Sequence, residues 1–138
     1  MQQKELDEYW DVFNTKVKHL SELDQRKVAY EFSLLVKGNL DELGLEALRI
    51  IEQLTYKKVA LRTCERIQKR LQEKLPGNNT VSPYSVLIWT LQPNTASYPV
   101  WYSTGIAGLN LPDLHIATLP ELTKLIERTL EALKTKSA

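Results

Sequence analysis

The residues best suited to acid–base chemistry in this chain are its two histidines, His19 and His115. Two-histidine phosphoester chemistry uses a pair of His-x-Ser/Thr motifs on strands. One imidazole serves as base and the other as acid, while the hydroxyls hold the phosphate. His19-Leu20-Ser21 has that spacing, but after His115 the next hydroxyl is Thr118, three residues on, and on a strand it would face away from the imidazole. His19 falls at the C-terminal end of an amphipathic helix, where a histidine commonly meets free carbonyls and the helix dipole. A phosphoester enzyme centred on His115 is therefore the third of three functional readings, and no catalytic residues are expected.

Lys58, Arg62, Arg66, Lys69 and Arg70 recur at helical spacing on the side opposite Cys64, and form a basic ridge. Such a ridge could neutralise phosphates or meet an acidic partner. Residues 57–75 carry 7 basic and 2 acidic side chains, against 7 and 11 in residues 1–56, so the ridge equally balances the acidic first half. No aromatic residue interleaves with these charges, which weakens single-strand binding. Nucleic-acid association through this ridge is the alternative reading. The run Ser103-Thr104-Gly105-Ile106-Ala107-Gly108 holds two glycines beside a Ser/Thr pair, yet no helix start follows and no lysine sits at P-loop spacing. Turn glycines with positive φ explain it better. Two distant histidines and one cysteine give no metal cluster, so neither metal nor cofactor is expected. Cys64 sits at a core position and reads as a small buried apolar residue.

The pattern with most information is an absence. From Pro76 to Pro120, 45 consecutive residues carry one formal charge, Asp113, and hold Tyr84, Trp89, Tyr98, Trp101 and Tyr102. A segment without charge is either buried or presents its surface to something other than water. Trp101 and Tyr102, adjacent on a strand, would point to opposite faces, so one of them faces solvent, a ligand or a partner. Uncharged exposed aromatics are typical interface anchors. Tyr98, Trp101, Tyr102, Gly105 and Gly108 are the candidate partner-binding residues.

The elements that must position these residues follow from periodicity. Leu6, Tyr9, Trp10, Phe13, Val17 and Leu20 give one stripe on a helix over residues 4–19. Ser21 with Asp24 caps a second helix that buries Val28, Ala29, Phe32, Leu35 and Val36 and stops at Gly38. Asn39 with Glu42 starts a third; with no Gly or Pro to separate them, residues 40–54 and 57–75 read either as two helices or, with a slight preference, as one long helix bent near Thr55-Tyr56. The period then changes. Residues 85–91 read as a central strand, 98–104 as its antiparallel return and 114–117 as a short third strand. Thr118 with Glu121, and Pro120 in the first turn, caps a last helix burying Leu122, Leu125, Ile126, Leu130 and Leu133. The expected fold is a single α+β domain over residues 1–138: a helical half, 1–75, packed on a small antiparallel sheet of about three strands with a C-terminal helix, 84–138.

Residues 102–126 resemble the core of an uncharacterised bacterial domain family. That core has an aromatic-x-Thr-x-Gly-Leu segment, then Gly-x-Pro-Glu-Leu, an apolar strand ending in Gly-Leu-Pro, and a helix. Tyr102, Thr104, Gly105 and Ile106 fit the first part, Pro112-Asp113-Leu114 the second and Thr118-Leu119-Pro120 the third. Asp113 stands where that family has Glu, Asn110-Leu111 where a Gly is expected, and Thr118 in place of the second Gly. The resemblance implies strand-loop-strand-helix and no established activity.

With 43% hydrophobic and 25% charged residues and a net charge of +1, the 15.9 kDa chain has the mass for one core and no global field toward nucleic acid or membrane. The lone cysteine fits a reducing compartment; no export signal or membrane-length apolar run is visible, and the expected location is cytoplasmic. The leading reading is a non-catalytic regulator, inhibitor, immunity-type protein or assembly adaptor that binds a protein partner through the uncharged aromatic surface. The apolar face of a long 40–75 helix would also suit a homodimer.

Overall fold

The computed structural model describes residues 2–77 and 81–137. Among them are seven α-helices and no strand, so the α+β expectation is overturned: the chain is all-α. The helices are α1 (Gln3–Thr15), α2 (Glu22–Leu34), α3 (Glu42–Gln53), α4 (Leu61–Gln72), α5 (Pro83–Thr90), α6 (Val100–Asp113) and α7 (Leu119–Ser137). Short 3₁₀ turns at Val17–His19 and Lys37–Asn39 follow α1 and α2.

The first two helices follow their apolar spacing. Tyr9 and Phe13 bury the centre of the α1 stripe, with Trp10 at its edge, and Val17 continues it into the 3₁₀ turn. Ser21 Oγ accepts the Asp24 N–H at 3.2 Å and starts α2, whose Val28, Ala29 and Phe32 are fully buried, while Leu35 stays exposed. The cap of α3 is Asp41 rather than Asn39: its carboxylate accepts the Gly44 N–H at 2.9 Å. That bond, with help from the Tyr84 hydroxyl, holds Asp41 below its ordinary pKa.

Residues 40–75 are two helices, not one. On a continuous helix Lys57 and Lys58 would follow Leu54 by three and four positions and fall into the apolar stripe. The chain instead leaves the helix after Gln53, with the Thr55 hydroxyl donating to the Glu52 carbonyl at 2.6 Å, and both lysines reach solvent. The apolar faces of α3 (Ala47, Leu48, Ile51) and α4 (Cys64, Ile67, Leu71) are consumed inside the chain, which removes the argument for a dimer along them.

The three expected strands are α5, α6 and the turn after α6. A short apolar run with no polar side can be a buried helix as readily as a buried strand. Ser82-Pro83 decides for helix: Ser82 Oγ accepts the Tyr84 N–H at 3.0 Å, Ser85 Oγ accepts the Ser82 N–H at 3.2 Å, and Pro83 occupies the first helical position. At the start of α6, Pro99 is the N-cap and Asn94 Oδ1 accepts the Val100 N–H at 3.3 Å. Residues 114–117 turn between α6 and α7, and the Thr118–Glu121 capping box forms as expected, lowering the Glu121 pKa through the Thr118 backbone N–H and hydroxyl.

At the centre α2 packs on α6. Between them these two reach α1, α3, α5 and α7, and α4 joins through α3 and α5. One core runs from Tyr9 and Phe13 through Phe32, Leu87 and Leu111 to Leu122 and Ile126. The glycines of α6 are helix-packing residues, since no described glycine has a positive φ. A Cβ on Gly105 would strike the Trp10 indole, and one on Gly108 would strike the Tyr9 hydroxyl and the Phe32 ring. The close approach is secured by a bond of 2.6 Å from the Tyr9 hydroxyl to the Gly105 carbonyl, and burial pushes the Tyr9 pKa well above 10.

Candidate functional site

The uncharged segment folds as a unit, α5 against α6, with one side in the core and one side at the surface. The surface side carries a chain of aromatic rings. Trp89 on α5 lies 5.7 Å from Tyr98, Tyr98 lies 6.3 Å from Tyr102, and Tyr102 lies 5.8 Å from Trp101, centroid to centroid. Tyr102 also stacks on Trp10 of α1 at 5.6 Å and 26°. Tyr98 and Tyr102 are 40% and 37% exposed, while Trp89 and Trp101 are half-buried. Adjacent helical residues are about 100° apart, so Trp101 and Tyr102 share one rim instead of pointing to opposite faces. Lys18 closes this end, its Nζ 5.5 Å from the Trp101 ring.

Local bonds hold the rim in place. The loop between α5 and α6 is braced by Tyr98 N–H donating to Thr95 Oγ1 at 2.9 Å and Asn94 Nδ2 donating to Glu22 at 3.0 Å. Its start is clamped by Arg26, which is 6% exposed and donates to the Thr90 and Gln92 carbonyls at 2.8 and 3.3 Å. A cation at the C-terminus of α5 meets the negative end of the helix dipole, while burial lowers the guanidinium pKa. Below Trp89 and Tyr98 opens a groove of about 680 Å³ whose walls include Gln72, Ile88, Gln92 and Asn110, and none of its described lining residues is charged.

Of the five candidate partner-binding residues, the structure brings Tyr98, Trp101 and Tyr102 together at this rim. Gly105 and Gly108 are buried beneath it and present nothing outward. Trp10, Trp89 and Gln92 belong to the same surface and were not among the five, although Trp89 stood in the aromatic set of the uncharged segment. Trp10 read as core from its stripe, and its place at the stripe's edge is the signal that it reaches the surface.

The basic ridge is partly assembled. Arg62, Arg66 and Lys69 line the exposed side of α4, Arg70 pairs with Glu46 at 3.4 Å, and Lys58 lies before the helix begins. Glu65 interrupts the ridge. Before the ridge begins, Tyr56 is 60% exposed, with Lys57 Nζ 6.0 Å from its ring.

The remaining chemistry resolves into structure. His115 has φ 58° and occupies the left-handed position just past α6, where its N–H donates to the Pro112 carbonyl and the Ile116 N–H donates to Leu111, both at 3.0 Å. Thr118, its would-be hydroxyl partner, is the cap of α7. His19 ends a 3₁₀ turn at the surface. Cys64 is buried and burial raises its thiol pKa, partly opposed by Arg26, which is the opposite of nucleophile activation. Among the described residues no three His, Cys, Asp or Glu side chains could hold a metal ion, and no helix is long and apolar enough to cross a membrane.

Comparison with known proteins finds no match among family models, curated sequences or solved structures. The strand-loop-strand-helix arrangement implied by the resemblance of residues 102–126 does not occur: they form most of α6, a turn and the start of α7.

Proposed function

We propose that this is a non-catalytic interaction protein that binds a protein partner through the aromatic rim of α5 and α6. The observation that carries this reading is the pairing of Tyr98 and Tyr102, more than a third exposed, in a chain of touching rings beside a groove whose described lining residues are uncharged. Large rings with free edges and fixed backbones lose little entropy on binding and dominate interface energetics. The residues that could have done chemistry are otherwise engaged: His115 is occupied as a helix terminus and Cys64 is buried. A buried, unpaired thiol suits a cytoplasmic setting. The test is affinity capture from host lysate with the wild-type chain and the Tyr98→Ala/Tyr102→Ala variant, both checked for helicity. A partner retained by wild type and lost by the variant supports the reading; identical captures from the two would end it.

A second reading rests on Tyr56. An exposed ring with Lys57 over it, and Arg62, Arg66 and Lys69 on the exposed side of α4, offer a stacking platform and four cations to a single-stranded nucleic acid. Retention of a labelled oligonucleotide that falls with salt, and is lost in Arg62→Glu/Arg66→Glu/Lys69→Glu, would favour it. Glu65 and the Arg70–Glu46 pair reduce the local field, so the aromatic rim leads.

A further inference from the structure

We infer that the partner met by the aromatic rim is a second copy of this chain, which lays the outer face of its α4 against Tyr102, Trp10 and the acidic side of α1. This rests on the protein-binding reading above and names the partner within it.

The rim has a charged border although its own segment carries almost no charge. Trp10, stacked on Tyr102, belongs to α1, and residues three and four apart are neighbours on a helix. Asp7 therefore borders Trp10, and Asp11 lies one turn beyond Asp7; both are exposed. Gln3 Nε2 donates to Asp7 Oδ1 at 2.7 Å and holds that carboxylate in place. The solvent side of α1 carries Asp7, Glu8 and Asp11 against one base, Lys4.

The complementary surface is on α4. Tyr56 and Leu61, 60% and 55% exposed, are the most exposed large apolar side chains among the described residues, and they flank the start of that helix. Leu61 opens a shallow surface shared with Arg62, Arg66 and Lys69, on which Glu65 is the one acid among the described residues. A phosphate backbone has a use for the cations and none for the leucine. A face of tyrosine and tryptophan bordered by aspartates has a use for both, since guanidinium groups stack on aromatic rings as well as pairing with carboxylates.

Within one molecule these surfaces do not meet. α4 packs on α3 and α5, and among the described residues no ion pair joins it to α1. Between molecules the contact is heterologous, so it repeats from copy to copy into a ring or an open chain. Leu61 and the rings supply the affinity. The charge pairs set encounter rate, orientation and salt dependence.

Sedimentation velocity of the full chain tests this with two variants, both checked for helicity. Tyr102→Ala/Asp7→Asn removes the rim side of the contact and Leu61→Ser/Arg62→Gln the α4 side; all four positions are exposed, so the core is left alone. Wild type should associate as its concentration rises, about tenfold more weakly in molar salt. Each variant alone should stay monomeric. Their equimolar mixture should form a pair and go no further, because each supplies the face the other lacks. A monomeric wild type, association that survives either variant, or a mixture that fails to pair overturns the assignment. A monomer that retains the labelled oligonucleotide gives α4 to nucleic acid and overturns it as well. If the chain is monomeric while lysate capture still depends on Tyr98 and Tyr102, the choice of partner falls and the protein-binding reading stands. If both fail, both fall.

Discussion

α4 and α6 are helices of similar length, 12 and 14 residues, built on opposite plans. α4 has Cys64, Ile67 and Leu71 on one side and solvated charges on the other, so its sequence is a stripe. α6 buries Val100, Ser103, Thr104, Gly105, Ala107, Gly108 and Leu111, and has glycine where the rings of Trp10, Tyr9 and Phe32 press against it. Water selects the residues on one side of α4; neighbouring side chains select those on the core side of α6, and its other side carries almost no charge. The difference teaches that α6 is specified by fit and α4 by solvation, and the two should therefore respond very differently to the same substitution.

The largest contrast is expected from Gly108→Leu against Arg66→Leu. A side chain on Gly108 meets Tyr9 and Phe32, fully buried rings with nowhere to move. Overpacking of this kind costs about 1–3 kcal/mol or more, which outweighs the roughly 1 kcal/mol that leaving glycine gains in helix propensity. Arg66→Leu sits on the solvated side of α4 and should stay within about 0.5 kcal/mol of wild type. Urea midpoints at constant slope measure both. If Gly108→Leu proves neutral, α6 is not packed as tightly as the contrast requires.

Arginine gives the next test, because the chain uses the same residue in both settings. Arg66 is solvated, whereas Arg26 is buried and holds the end of α5 by the Thr90 and Gln92 carbonyls. Arg26→Met leaves two carbonyls unpaired, at a cost of about 1–3 kcal/mol. Arg66→Met should leave the urea midpoint where it was. Equal responses would mean that water reaches the end of α5.

The same contrast explains which parts of the fold were legible. α1, α2, α4 and α7 alternate between core and solvent at a helical period, and their apolar positions could be read directly. α5 and α6 lack a polar side, and without one periodicity cannot separate a buried helix from a buried strand. The local signs were present: Ser82-Pro83 with Ser85 is a helix start, and Lys57-Lys58 inside an apolar stripe is a helix break. At the site, Tyr98 and Tyr102 were legible because aromatics in an uncharged segment stand out. Arg26 and Gln92 were not, because their roles depend on carbonyls and amides more than 20 residues away in sequence.

Tyr9→Phe probes the seam between α1 and α6 through pH. The buried hydroxyl keeps its proton in the folded state well above 10, while an unfolded tyrosine releases it near pH 10. A raised folded pKa means the contribution is complete below about pH 10 and is lost as pH rises beyond it. Tyr9→Phe should lose about 1 kcal/mol at neutral pH with the bond to Gly105. Above pH 10 its stability should fall less steeply than wild type, by up to about 1.4 kcal/mol per pH unit. Tyr30, pushed up to about 12 first by burial and then by its bond to Glu52, titrates in both proteins and cancels from the difference. Parallel slopes would show that the Tyr9 hydroxyl is open to water.

The smallest effect has the opposite sign and separates structure from chemistry at the far end of α6. His115 holds a left-handed backbone that costs an L-residue about 1 kcal/mol and costs glycine nothing. Glycine also gains freedom in the unfolded chain, which returns part of that difference. His115→Gly should therefore stabilise the protein by a few tenths of a kcal/mol, read as a slight rise in urea midpoint. Binding at the aromatic rim should not change, since the substitution touches only the turn into α7. A histidine kept for catalysis or ligand binding would behave the other way: its loss would leave stability alone and abolish function.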